Sequence, residues 1–129
     1  MWFVEEGAPS DERYAQARSR IGELIADTAS FMGTYHAMLG PTTPMTAFPH
    51  GKLDHPINGL VVPKFHVTKN TSPWDYTGSP ALSVPFGWNG DGMPIGVQLV
   101  GRHFDEPTVL RLGVALETGA PDRHRRPPL

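Results

Sequence analysis

The sequence predicts an α/β segment of about three strands, two longer helices and one short helix. Three observations predict it. Apolar residues recur at helical spacing from Tyr14 to Met32. Two short apolar runs, residues 81–86 and 95–100, flank a glycine-rich reversal. A second helical stripe then follows the second run directly.

Ser10 is placed to cap the first helix, with Asp11 and Glu12 at the positive end of its dipole. Tyr14, Ala17, Ile21, Leu24, Ile25, Thr28, Phe31 and Met32 fall on one stripe, and Gly33 is the natural stop. Residues 35–39 read as a buried strand running into a proline-stiffened loop, Gly40-Pro41-Thr42-Thr43-Pro44. Residues 45–70 lack sustained periodicity and are rich in turn formers, which predicts a long surface loop of the kind that often carries function. Ser72 to Gly78 reads as a short helix, with Ser72 as cap, Pro73 first and Gly78 as exit.

The runs at 81–86 and 95–100 are strands, reversed by Trp88-Asn89-Gly90-Asp91-Gly92. The last helix opens on Asp105 as cap with Pro107 in its first turn. Val109, Leu110, Leu112, Ala115 and Leu116 are its buried face, and Gly119 ends it. Residues 121–129 are basic and proline-rich and read as an extended surface tail. Three strands make a thin sheet whose outer strands expose unpaired N–H and C=O groups, which points to a segment that evolved beside more sheet.

At 129 residues the chain suffices for a single core and is too short for two ordinary domains, so residues 1–129 are taken as a single segment. An apolar share of 39%, with 14 Gly and 14 Pro, predicts a modest core threaded by turns. A formal charge of −2 gives no reason to expect nucleic acid or an anionic membrane as partner. With no cysteine, disulfides and thiolate chemistry are excluded. Residues 1–6 have neither a basic start nor a long apolar stretch, and no run approaches membrane-spanning length, so a cytoplasmic chain is expected.

Several residue groups invite chemistry and have simpler readings. Ser79, Ser83, His103 and Asp105 could be drawn as a Ser–His–Asp set, but Ser83 sits in an apolar strand and Asp105 serves as a cap. His50, His55 and His66 lack the close ligand pairs of a zinc site and read as solvated loop histidines, so no metal or other cofactor is expected. Gly87, Gly90, Gly92 and Gly96 precede a strand rather than a helix, which fits turns and not a phosphate loop. Arg123, Arg125 and Arg126 form a patch too small for a nucleic-acid footprint and read as a solvated tail or as local ion pairs.

Four stretches together resemble the amidase-signature family of hydrolases: Tyr-His-Ala-Met-Leu-Gly-Pro-Thr-Thr-Pro-Met-Thr-Ala-Phe-Pro at 35–49, residues 76–87 with Gly-Ser-Pro-Ala-Leu-Ser-Val-Pro, residues 91–106 with Asp-Gly-Met-Pro-Ile-Gly-Val-Gln and Gly-Arg, and the helix at 107–117. Their order and spacing fit the C-terminal part of that family over nearly the whole chain. Met93 replaces the usual Leu, a volume-conserving change. The resemblance implies a share of a mixed β-sheet covered by helices, in an enzyme that cleaves amide C–N bonds with a Ser–Ser–Lys triad.

The triad itself is absent from this sequence. It has no Gly-Gly-Ser-Ser-Gly-type run, and Lys52, Lys64 and Lys69 all follow the Pro-Thr-Thr-Pro element that the family's catalytic lysine precedes. No catalytic residue is therefore assigned. The resemblance implies that the neighbourhood of Trp74, Tyr76 and Thr77, with Phe48 on the adjoining loop, approaches the substrate, since aromatic walls with one polar group suit an amide's apolar body. The plain alternative is that the aromatics pack the short helix onto the core, and it is preferred for Trp74. Asp75 stands near where the family often has Asn, which separates this pocket from the usual pattern.

Three functional expectations follow. The first is a C-terminal amidase portion that supplies scaffold and part of a pocket for a small-molecule amide. It is inactive alone and partnered by a separate N-terminal amidase portion. The second is the matching portion of an aminoacyl-tRNA amidotransferase A-type subunit. The third is a free-standing, non-catalytic interaction module, which would be monodisperse, whereas a piece of a larger fold would expose apolar surface.

Overall fold

The computed structural model describes residues 8–121 and 123–126. The expectations for residues 1–6, for residue 122 and for the end of the tail lie outside these. Helix α1 spans Asp11–Met32, and Ser10 Oγ accepts from the Arg13 N–H at 3.3 Å, as its sequence position predicts. Its far end falls at Gly33, as expected, but in another conformation. Gly33 keeps right-handed backbone (φ −55°), so it does not form a left-handed stop. The orphan carbonyls are met from a distance instead. Arg102 Nε donates to Met32 O (3.0 Å) and Tyr35 O (2.9 Å), and Nη2 donates to Gly33 O (3.3 Å). A guanidinium also complements the negative end of the helix dipole.

Strand β1 is Ala37–Pro41, shifted two residues beyond the expected run. Tyr35 lies before it and stacks on Phe31, with ring centroids 5.1 Å apart. Proline is accommodated in β1 because this is an edge strand.

The segment at 45–70 is more ordered than the expected loop. It contains a hairpin, β2 (Asp54–Ile57) and β3 (Leu60–Pro63), followed by a 3-10 turn over Lys64–Thr68. Asn58 (φ 49°) and Gly59 (φ 79°) both adopt left-handed backbone, the requirement of the tight two-residue turn that matches strand twist. His55 is buried in this hairpin beneath Phe48, with ring centroids 4.0 Å apart.

Helix α2 covers Ser72–Thr77 and ends on Gly78 in the left-handed conformation (φ 69°), as expected. Its cap is corrected. Thr71 occupies the N-cap position, while the Ser72 hydroxyl lies inside the helix and donates backwards to Thr68 O at 2.9 Å.

Strands β4 (Ala81–Trp88) and β5 (Pro94–Gly101) form the sheet centre with β1, in the order β1-β5-β4. Both pairings are antiparallel, with a bulge between Pro85 and Gly87. The reversal is locked by Asn89, whose Oδ1 accepts from the N–H groups of Asp91 (3.0 Å) and Met93 (2.8 Å).

Helix α3 spans Glu106–Gly119. Asp105 holds the N-cap position, but its side chain makes no capping bond; its carbonyl accepts from the Thr108 and Val109 N–H groups instead. The buried face is narrower than expected. Val109 and Gly113 are buried and Leu116 half-buried, whereas Leu110, Leu112 and Ala115 are exposed. Spacing of four and three residues gives one thin stripe, because α3 meets a single sheet face. Its approach is close: a Cβ on Gly113 would run into Leu82 Cδ2.

Met32, Val84, Leu99, Val100, Val109 and Ala120 make up the buried apolar core. Beyond it the tail departs from the extended form expected, since Pro121 and residues 123–124 form turns.

Candidate functional site

Alternation along β4 divides the sheet into two working faces. Leu82 and Val84 meet Gly113 of α3, while Ser83 turns the other way. On that opposite side lies a cleft of about 330 Å³, lined in part by Thr42, Trp74, Asp75, Ser83 and Gln98.

Three hydrogen-bonded features build it. Thr42 Oγ1 and Ser83 Oγ lie 2.7 Å apart. Gly96 leaves room for that pair, since a Cβ there would come within 3.1 Å of Ser83 Oγ and 3.2 Å of Thr42 Oγ1. Gln98, buried at the centre of β5, donates through Nε2 to Asn70 O (2.8 Å) and Pro41 O (3.2 Å). Asn70 Nδ2 donates to the same Pro41 carbonyl at 3.2 Å. Gln98 thus ties the end of β1 to the turn that launches α2, and fixes where Trp74 stands. Trp74 Nε1 is shielded from solvent and makes no hydrogen bond. With that N–H shielded, Trp74 offers the cleft its ring rather than a donor.

The expected substrate-facing residues scatter. Trp74 lines the cleft with Asp75 beside it. Thr77 is buried and its hydroxyl pairs with Ser79 Oγ at 2.9 Å. Tyr76 is 60% exposed and Phe48 covers His55; neither lines the cleft. Thr42 and Gln98 are the residues whose placement the sequence reading missed. The available signal was a glutamine inside an apolar strand, because a buried amide must be satisfied by specific partners.

Neither hydroxyl of the drawn Ser–His–Asp set bonds an imidazole: Ser79 pairs with Thr77 and Ser83 with Thr42. His103 Nε2 is shielded and unpartnered, and its ring meets Phe104 edge-on at 6.3 Å. A serine without an adjacent base is a weak nucleophile. The cleft's chemistry is therefore recognition, with two hydroxyls and a carboxylate beside an aromatic wall. Among the described residues no three His, Asp or Glu side chains converge as a metal site would require. No described helix is long and apolar enough to cross a membrane.

Residues 3–110 match the family model described as Amidase. The chain is 40% identical over 119 residues to the A-type subunit of glutamyl-tRNA(Gln) amidotransferase from Brevibacillus brevis, covering 91% of this chain and 23% of that protein. It is 39% identical to the protein of the same name from Parvibaculum lavamentivorans, covering 92% of this chain and again 23% of the relative. A crystal structure of an amidase superposes with a TM-score of 0.82 at 26% identity, covering 88% of this chain and 26% of that one. The chain thus spans about a quarter of the length of the proteins it matches, corresponding to their C-terminal part. With the family model matched over most of its length and the fold shared, this chain belongs to the amidase family, of which it represents one portion.

Proposed function

We propose that this chain is the C-terminal portion of an amide-bond hydrolase, supplying sheet scaffold and one wall of the substrate pocket, and inactive without the catalytic portion. The observation that carries this reading is the cleft itself. It presents hydroxyls, a carboxylate and the Trp74 ring, yet neither Ser79 nor Ser83 is hydrogen-bonded to a base. A site equipped to bind and lacking an activated nucleophile fits one half of a composite pocket.

In the assembled enzyme a lysine, acting through a bridging serine, activates a second serine. That serine attacks the amide carbonyl, backbone N–H groups stabilise the oxyanion, and its collapse breaks the C–N bond, expelling the amine with the proton taken from the serine. Water then releases the acid. This chain's part is to hold the substrate body, with Trp74 as an apolar wall, and to keep that wall in register through Gln98.

The test is reconstitution. The 129-residue chain is assayed for ammonia release from simple carboxamides, alone and after co-expression with an upstream amidase portion carrying the triad. Activity is expected only in the pair. Robust hydrolysis by the chain alone, sensitive to serine-directed inhibitors, overturns the reading.

The relatives named as A-type subunits of glutamyl-tRNA(Gln) amidotransferase, at 40% and 39% identity, favour a second reading, in which the whole protein passes ammonia to an aminoacyl-tRNA. The reconstituted pair separates the two. Release of free ammonia from amides with no tRNA present supports the hydrolase, and glutaminase activity that depends on a misacylated tRNA supports the transferase.

A further inference from the structure

A second concave surface lies away from the polar cleft, where the C-terminal turns fold onto the tip of the β4–β5 hairpin. It encloses about 180 Å³ and is lined by Phe86, Trp88 and Pro94 from the hairpin and by Arg123, Arg125 and Arg126 from the tail. These arginines are exposed, and Arg125 is held against the hairpin. The Arg125 guanidinium carbon lies 4.4 Å from the centre of the Trp88 ring. Its Nη2 lies 3.6 Å from where a Gly92 Cβ would stand, which puts the guanidinium against the hairpin turn.

Stacking employs the face of a guanidinium and leaves its edge N–H donors available. Arg123 and Arg126 commit little more. Arg123 Nε donates to His124 Nε2 at 3.0 Å, and Arg126 Nη1 reaches Arg125 O only at 3.5 Å. No carboxylate among the described residues lines the cleft. Three cations are therefore gathered in one concavity with unused donors and mutual repulsion to offset. The group that satisfies such an arrangement is a compact oxyanion with several acceptor oxygens and more than one negative charge.

We propose that this cleft binds a phosphate group, seated on the Arg123, Arg125 and Arg126 guanidiniums against Trp88. Free phosphate and the phosphate of a nucleotide share this chemistry. In the second case the base has Phe86, 39% exposed, to lie against.

The experiment titrates the 129-residue chain with inorganic phosphate and, in a second arm, with adenosine monophosphate. Phosphorus NMR line widths and tryptophan fluorescence are the two readouts, and Trp88→Phe assigns the fluorescence change to this ring. Saturable binding that weakens with added salt is expected, with acetate much weaker because it carries a single charge. The Arg125→Ala/Arg126→Ala double variant is expected to bind about tenfold more weakly, as loss of charge-assisted hydrogen bonds implies, with Arg18→Ala on α1 unchanged. Circular dichroism confirms that the variants fold, since these exposed arginines lie outside the core. Tighter binding of the nucleotide than of phosphate assigns the nucleotide source, and equal binding assigns free phosphate. No saturable binding of either ligand, equal affinity for acetate, or unaltered affinity in the double variant overturns the proposal.

Discussion

Two residues do work that their immediate sequence surroundings do not announce. Gly113 lets α3 settle onto β4, and a methyl there would overlap Leu82 Cδ2. Alanine is otherwise the better helix former by about 1 kcal/mol. Overpacking a close helix–sheet contact costs about 1–3 kcal/mol and outweighs that gain. Gly113→Ala is therefore expected to lower stability by up to about 2 kcal/mol, read as a reduced urea midpoint by circular dichroism at low protein concentration. A raised midpoint would show that propensity, not the contact, governs this site. Arg102 is the second case. Its guanidinium donates to three carbonyls at and just beyond the end of α1. A lysine has the charge but not the planar fork that reaches all three. Arg102→Ala is expected to cost about 1–3 kcal/mol and to speed amide hydrogen exchange in the last turn of α1, with Arg102→Lys in between. Unchanged exchange at that turn would remove the capping role.

Among elements, the β4–β5 reversal rests on one side chain more than on its glycines. Asn89 accepts two backbone N–H groups and donates through Nδ2 to Thr46 at 3.2 Å, joining the hairpin tip to the loop after β1. Asn89→Ala is expected to cost about 1–2 kcal/mol, while Asn89→Asp, which keeps the acceptor oxygen, costs less. Equal losses in the two variants would show that the acceptor is not what matters. This turn was legible because Asn-Gly and Asp-Gly dipeptides between apolar runs have a local meaning, as were α1, with its Ser10 cap, and Gly78 at the exit of α2. The β2–β3 hairpin carried the same signal at Asn58-Gly59. Its strands are only four residues each and contain Pro56 and Pro63, so periodicity could not support it. Arg102 and Gln98 were not legible in their roles, because their partners lie 70 and 28 residues away in sequence. The same distance in sequence hid the cleft, whose Thr42–Ser83 pair exists only once β1 and β4 flank β5.

At the scale of the whole molecule, the balance between core and surface decides what this chain can do unaided. Among the described residues six buried apolar side chains form the core, while Leu39 (57% exposed), Val61 (75%) and Phe104 (93%) face solvent. Strands β1 and β4 each pair on one side only among the described residues. Open strand edges beside exposed apolar side chains are templates for association. The chain alone is therefore expected to self-associate as its concentration rises, as seen by light scattering. Co-expression with the upstream amidase portion is expected to yield a soluble one-to-one complex, in which amides at the outer edges of β1 and β4 gain protection from hydrogen exchange. The covering strands would supply the missing hydrogen-bond partners, and the same docking would bring a catalytic portion to the cleft beside Trp74. A monodisperse chain that unfolds cooperatively, with those edge amides no better protected in the presence of the upstream portion, would instead identify a free-standing module and remove the composite-pocket reading with it.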